Sequence, residues 1–324
     1  MLGFLARRLA LAALTTLAVV TITFAVVHLA PGEPMLGDAE RLRADPATIA
    51  RQRAAFGLDR PLPIQYALYL GNLVRGELGE SFVRRRPAGH VLRDALPNTL
   101  LLGGAALALS FLIGLATGTL QAARRGTFVD GALSVASLAA YSTPSFWLGL
   151  VLLLVFGQWL RWLPVSGMTD PVVHEFLSPA RRALDVLRHL VLPATTLGLV
   201  NAAWSARFQR SALVDALGSP FVRTARAKGI AESQVLLKHA LRNALAPVIT
   251  LAGLSVPALL TGSVLVESVF GWPGMGRVTF EAIFARDYNV ITAAAIVAGI
   301  LVALANLLAD LAVAVTDPRE RLDA

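Results

Sequence analysis

Three cations separated by small residues fall in one short stretch, Ser219-Pro-Phe-Val-Arg-Thr-Ala-Arg-Ala-Lys-Gly229. Arg223, Arg226 and Lys228 carry donors only. Their chemistry is contact, either with another protein or with anionic lipid headgroups. Catalytic constellations are missing from the chain. The two lysines, Lys228 and Lys238, are followed by Gly and His, so no phosphate loop of the form Gly-x-x-x-x-Gly-Lys-Ser/Thr is present. Neither a His-Glu-x-x-His pair nor a Gly-x-Ser-x-Gly elbow occurs. Ser166 lies beside Pro164 at the edge of an apolar run, and no histidine deep in such a run could activate it. The expectation is no catalytic residue and no metal site.

The elements that must position this stretch are made for lipid. The chain has 324 residues, 56% hydrophobic and 15% charged, with a mean hydropathy of +0.64. Soluble domains carry roughly one-quarter charged residues. There is no cysteine, so disulfides and thiolate metal ligands are excluded. The net charge of +8 lies mostly between apolar runs, which fits membrane topology and anionic lipid better than nucleic acid.

The runs are residues 9–29, 98–123, 131–160, 190–206, 244–266 and 290–315. Crossing the hydrocarbon core takes roughly 20 apolar residues as a helix. Five runs meet that length and 190–206 is near the lower limit, so the expectation is an all-α membrane protein with six transmembrane helices. The backbone finds no water there, and strand-like alternation is absent. The first run is longer than a signal-peptide core and no small-residue cleavage site follows, so it reads as an uncleaved span. With the N-terminus inside, the short inner segments hold thirteen Lys and Arg and the two short outer loops six. That asymmetry predicts cytoplasmic N- and C-termini.

The expected organisation is a cytoplasmic N-terminus and first span over 1–29, an extracytoplasmic segment over 30–97, and a five-helix core over 98–324. The proline-rich outer segment reads as a compact cap. The core carries the basic loop, residues 207–243, on its cytoplasmic side. Gly114 and Gly118 are spaced for close helix approach, with packing inside the chain favoured over a dimer seam. Pro247 and Pro257 kink the fifth span and serve as a candidate hinge.

Within the loop, Ser219 is an N-cap residue, Pro220 suits the first helical position, and Gly229 suits the left-handed position after a helix. These predict a helix over 220–228, about 13 Å long at ~1.5 Å per residue. Arg223 and Arg226 share its face, beside a strip of Val222, Ala225 and Gly229. A second helix is expected near Ala231, with Leu237, Leu241, Ala244 and Val248 as one apolar face running into the fifth span. A push on the loop would then move the kinked span. Anchoring to lipid headgroups accounts for the same charges equally well at this level.

The loop resembles the cytoplasmic EAA loop of ABC importer permeases. Arg223-Thr224-Ala225 stands at the Glu-Ala-Ala position and Gly229 at the glycine; Arg242 replaces the proline of the general pattern. Arg-Thr-Ala-Arg-Ala-Lys-Gly followed by His-Ala-Leu-Arg-Asn-Ala-Leu-x-Pro is similar to the variant of the dipeptide/oligopeptide/nickel branch. Phe56-Gly-Leu-Asp-Arg-Pro-Leu-Pro, Leu96-Pro-Asn-Thr99, Ser142-Thr-Pro-Ser-Phe-Trp147, Leu163-Pro-Val-Ser-Gly167 and Glu267-Ser-Val-Phe-Gly-Trp-Pro-Gly-Met-Gly-Arg277 fit the same branch in the same order. The long outer segment after the first span is similar to the first of its two permease types.

The resemblance implies a type I ABC importer permease fold in the bacterial inner membrane and a pathway for di- or oligopeptides; nickel, glutathione or another small solute are the alternative cargoes. It implies a second permease subunit as heterodimer partner, two cytoplasmic ATPase domains and an extracytoplasmic binding protein. ATP and Mg would be bound by the ATPase partners, with no cofactor in this chain. Arg223, Thr224, Ala225, Arg226, Lys228 and Gly229 would contact the ATPase; Glu267, Trp272, Gly274 and Arg277 would form a gate or binding-protein contact. The rival reading is an ion-coupled secondary transporter, which needs a carboxylate near the membrane midplane. Asp310 is the mid-span candidate, and it lies only about 7.5 Å from the end of its run.

Overall fold

The computed structural model describes residues 2–29, 59–245, 248, 255 and 263–316. Among them the regular structure is helical. Helix α1 spans Leu2–Leu29, α2 Leu62–Val74, α3 Ala88–Ala123, α4 Phe128–Ser142, α5 Ser145–Leu152, α6 Pro179–Gly218, α7 Pro220–Ala227, α8 Glu232–Gln234, α9 Met275–Phe284 and α10 Tyr288–Thr316. Wider π-helical turns continue α5 through Leu153–Trp159 and α8 through Val235–Ala240. Residues 263–269 are also helical. Pro247 and Pro257, the expected hinge, lie outside the described residues.

Among the described residues three helices are long and apolar enough to cross a membrane: α3, α6 and Tyr288–Leu307 of α10. The bent pair of α4 with Ser145–Trp159 raises this to as many as four. Helix α1 contributes a shorter apolar stretch, Ala13–Val27. Most of the run 244–266 is outside the described residues.

Several boundaries depart from the sequence expectation for local reasons. The run 131–160 is not one straight span, because its two halves meet at 105°. Thr143 precedes Pro144, whose ring pushes the preceding residue out of the helical region; Thr143 is extended at φ −84°, ψ 126°. Helix α3 starts ten residues before its apolar run and carries Pro97 inside it. Helix α6 has 40 residues and carries Pro193. At ~1.5 Å per residue it is about 60 Å long, twice the hydrocarbon thickness. It therefore absorbs the end of the expected outer loop and the first twelve residues of the expected inner one.

The contacts form two compact units. One comprises Met1–Pro97 with Arg277–Ala303, the other Asn98–Gly276 with Leu304–Ala324. In the first, α1 buries a stripe of Val20, Phe24 and Val27 while Leu14, Ile22 and Val26 stay exposed, as a lipid-bathed helix does. Phe24 stacks on Tyr69 at 5.7 Å and meets Tyr66 of α2 at 5.1 Å. Buried Asp287 organises the loop before α3. It accepts from the Ser81 hydroxyl at 2.5 Å and the Val83 N–H at 3.3 Å, and caps the start of α10 through the Val290 N–H at 3.4 Å.

In the second unit α3 crosses α6 almost backbone to backbone. A methyl group on Gly114 would sit 1.8 Å from Ser205 Oγ, and one on Gly118 only 2.4 Å from the Ala206 carbonyl oxygen. The Ser205 hydroxyl donates to the Ser110 carbonyl at 2.9 Å across the crossing. Close approach of small residues is what holds helices together in lipid, where apolar burial gives no net drive. The Gly114–Gly118 pair is thus an intramolecular seam. Gly118→Ala should destabilise the detergent-purified protein by about 1–3 kcal/mol, since the carbonyl it strikes cannot rotate away. Gly104→Ala, where a methyl group meets nothing within 4 Å, should be near neutral. Thermal unfolding of the two variants side by side checks this.

Candidate functional site

The basic loop is a capped helix on a rigid base. Ser219 is extended at φ −72°, ψ 156°, and Pro220 follows at the first helical position. The Ser219 hydroxyl turns back to the Ala216 carbonyl at 2.5 Å instead of capping α7, so the backbone follows the expectation and the side chain does not. At the other end Gly229 has φ +73°. Its N–H bonds the Arg226 carbonyl at 2.9 Å, and the Ile230 N–H reaches back to Ala225 at 3.3 Å. These two bonds are the Schellman pattern. A methyl group on Gly229 would meet nothing within 4 Å. The glycine is required by its left-handed backbone rather than by crowding.

Helix α7 divides sharply by face. Val222 and Ala225 are buried with Leu213 of α6, Ala122 of α3, and Val235, Ala240 and Ala244 of the following segment. Ala225, expected at a contact with another protein, packs instead into this chain's own core. Arg223, Thr224, Arg226, Lys228 and Gly229 remain exposed. Arg226 does not share its role with Arg223. Its guanidinium grips Glu232 two-fold, Nη2 to Oε1 at 2.5 Å and Nε to Oε2 at 3.1 Å. This clamp spans the glycine joint between α7 and α8. The hydrogen bond from Arg226 holds the Glu232 carboxyl below its ordinary pKa and raises that of Arg226. The pair's contribution is therefore present above the usual carboxylate range and lost as pH falls through the lowered value. Both groups are exposed, so salt screens it. Arg223 and Lys228 make no ion pair among the described residues, which leaves them as the outward cations.

The apolar face after the joint is shifted from its expected register. Leu237 is 57% exposed, while Val235, Ala240, Ala244 and Val248 are buried. The π-helical turn explains the shift. Its wider turn places Val235 and Ala240, five apart, on one side. From Ala240 the ordinary spacing of four resumes through Ala244 and Val248.

Three of the four expected gate residues, Glu267, Trp272 and Gly274, are buried, whereas Arg277 is half-exposed. Glu267 and Trp272 are each 0% exposed, so neither presents a surface to a binding protein. Thr99 donates its hydroxyl to Glu267 Oε1 at 2.9 Å and accepts the Met275 N–H at 2.7 Å. The Trp272 indole donates to the Asn98 carbonyl at 2.9 Å, and the Asn98 amide donates to the Pro273 carbonyl at the same distance. A methyl group on Gly274 would lie 2.4 Å from the Glu267 carboxylate. Gly274 is therefore the opening through which the carboxylate reaches the start of α9, the electropositive end of a helix. Arg277 pairs along α9 with Glu281 at 2.8 Å. Asn98 and Thr99 had no site role in the sequence reading. They figure there only as part of the Leu96-Pro-Asn-Thr99 segment that fits the permease branch.

A second buried charge was also missed. Arg210 on α6 donates to both oxygens of Asp130, at 2.9 and 2.8 Å, and the Asp130 side chain is 8% exposed. The residues are 80 positions apart, and nothing local links them.

Residues 1–103 match the N-terminal model of a binding-protein-dependent transport system membrane component, and residues 110–322 match the binding-protein-dependent transport system inner membrane component. The di/tripeptide transport system permease protein DppB of Pseudomonas aeruginosa is 41% identical, covering 99% of both chains. The oligopeptide transport system permease protein AppB of Bacillus subtilis is 38% identical over 98% of this chain and 99% of its own. The glutathione transport system permease protein GsiC of Pectobacterium atrosepticum is 39% identical over 99% of each. Among solved structures, a chain of the inward-facing MetNI methionine ABC transporter matches with a TM-score of 0.55 and 20% identity, over 70% of this chain and 96% of its own; that likeness speaks to fold alone. The chain belongs to the family of binding-protein-dependent transport system inner membrane components.

Proposed function

We propose that this chain is a membrane-spanning permease subunit of an ATP-driven importer in the bacterial inner membrane, and that it forms part of the pathway for short peptides. Relatives matching nearly end to end are named for di/tripeptides, oligopeptides and glutathione, itself a tripeptide. Six spans with both termini in the cytoplasm complete the reading. A second permease subunit, two ATPase domains and an extracytoplasmic binding protein are its partners, and ATP with Mg binds to the ATPases.

The observation that carries this reading is the capped helix α7. A transport chain without a phosphate loop needs its energy from elsewhere, and α7 offers a rigid place to receive it. Its inner face is fused to α3 and α6, and its outer face shows Arg223 and Lys228. ATP binding draws the ATPases together, α7 follows, and the helices fused to it change their equilibrium between inward- and outward-open states. Lipid anchoring would use the same cations but would not require a fixed joint.

Two measurements test the coupling. Arg223→Glu should lower copurification of the ATPase subunit about tenfold or more, as like charges brought together across an interface do; unchanged copurification counts against this contact. Gly229→Val should insert normally yet lose ATP-driven peptide uptake in proteoliposomes, because a β-branched residue resists the left-handed backbone. Gly229→Asn, which tolerates that conformation, should keep most of the uptake. Full uptake by Gly229→Val would sink the rigid joint.

A further inference from the structure

We propose that Asp130 and Arg210 are positioning residues for energy coupling: their two-fold ion pair fixes the rotation of the loop-bearing end of α6, so that α7 moves only together with α3, α4 and α6. This rests on the reading of α7 as the energy-receiving helix.

Arg210 lies eight residues before the end of α6 at Gly218, roughly 12 Å from that end at ~1.5 Å per residue. Its guanidinium meets both carboxylate oxygens of Asp130 in the planar fork that arginine alone provides. Asp130 is itself held. Its Oδ2 accepts the Gly126 N–H at 3.1 Å, within a turn where Gly126 has φ +77° and the Thr127 hydroxyl donates to the Arg124 carbonyl at 2.6 Å. That turn joins α3 to α4. On the neighbouring side, Gln209 is fully buried, and its amide reaches Thr119 on α3 at 3.4 Å. One turn further, Leu213 and Ala122 enter the cluster that seats Val222 and Ala225 of α7.

The last turns of α6 are thus gripped by α3 and by the α3–α4 turn, just above the helix that would carry the load. The ion pairs Arg84–Glu281, Arg86–Asp94, Arg226–Glu232 and Arg277–Glu281 have both partners at least 40% exposed. Asp130 is the buried member of an arginine pair. A buried ion pair is a poor source of stability compared with apolar packing. What the two-fold geometry supplies is a fixed orientation.

The test uses the complete transporter in proteoliposomes, with both permeases, the ATPases and the binding protein. Arg210→Lys keeps the charge and removes the fork; Asp130→Glu keeps the pair and displaces it by one methylene. Both should assemble with the ATPases as the parent does. In both, stimulation of ATP hydrolysis by the peptide-loaded binding protein should fall about fivefold or more, and peptide moved per ATP should fall with it, the scale of a lost coupling between sites. A parental coupling ratio in both variants would overturn the proposal. Failure of both to assemble would overturn it too, by assigning the pair to folding. An unchanged ATPase yield with Arg223→Glu would instead point at the docking reading.

Discussion

The crossing of α3 over α6 is the constraint on which the rest of the second unit depends. In lipid, two apolar helices gain little by meeting, so the crossing must be close enough for dispersion and polar backbone contacts to count. Gly114 and Gly118 permit that closeness, and the Ser205–Ser110 hydrogen bond marks it. Every feature near the basic loop is built outward from this seam. Ala122 and Leu213 extend it by one turn, and α7 then closes over their ends.

This arrangement makes the loop a continuation of the transmembrane scaffold rather than an appendage. The Schellman turn at Gly229 and the Arg226–Glu232 clamp fix the angle between α7 and the segment after it. The π-helical turn adjusts the register so that Val235, Ala240 and Ala244 all face the same small core. Such turns are rare, sit mostly as single turns inside α-helices, and are frequent at functional sites. A force on the exposed face of α7 therefore enters α3 and α6 directly, beside any route through the span that follows.

The sequence disclosed what depends on near neighbours and hid what depends on distant ones. The limits of α7 were legible, because Pro220 and Gly229 act on the backbone at their own positions. The glycine seam was legible from spacing alone. The π-helical shift was not, because it answers to packing partners on α3 and α6. Glu267 was expected at a gate or binding-protein contact, and nothing near it in sequence marks its burial. Its burial rests on Thr99, 168 positions away, and on a backbone opening at Gly274. The Asp130–Arg210 pair escaped for the same reason. Proline misled in both directions: Pro144 breaks a run that looked continuous, whereas Pro97 and Pro193 sit inside long helices.

If α7 receives the ATPase, position 223 on its exposed face lies against that subunit. The chain has no cysteine, so a single cysteine at position 223 is a unique handle. In the assembled transporter, a short bifunctional reagent from that cysteine should join the chain to the ATPase subunit, with a yield that changes when ATP is added. Cross-linking to lipid or to other chains with no ATPase product, in a complex that still transports, would show that α7 does not receive the ATPase.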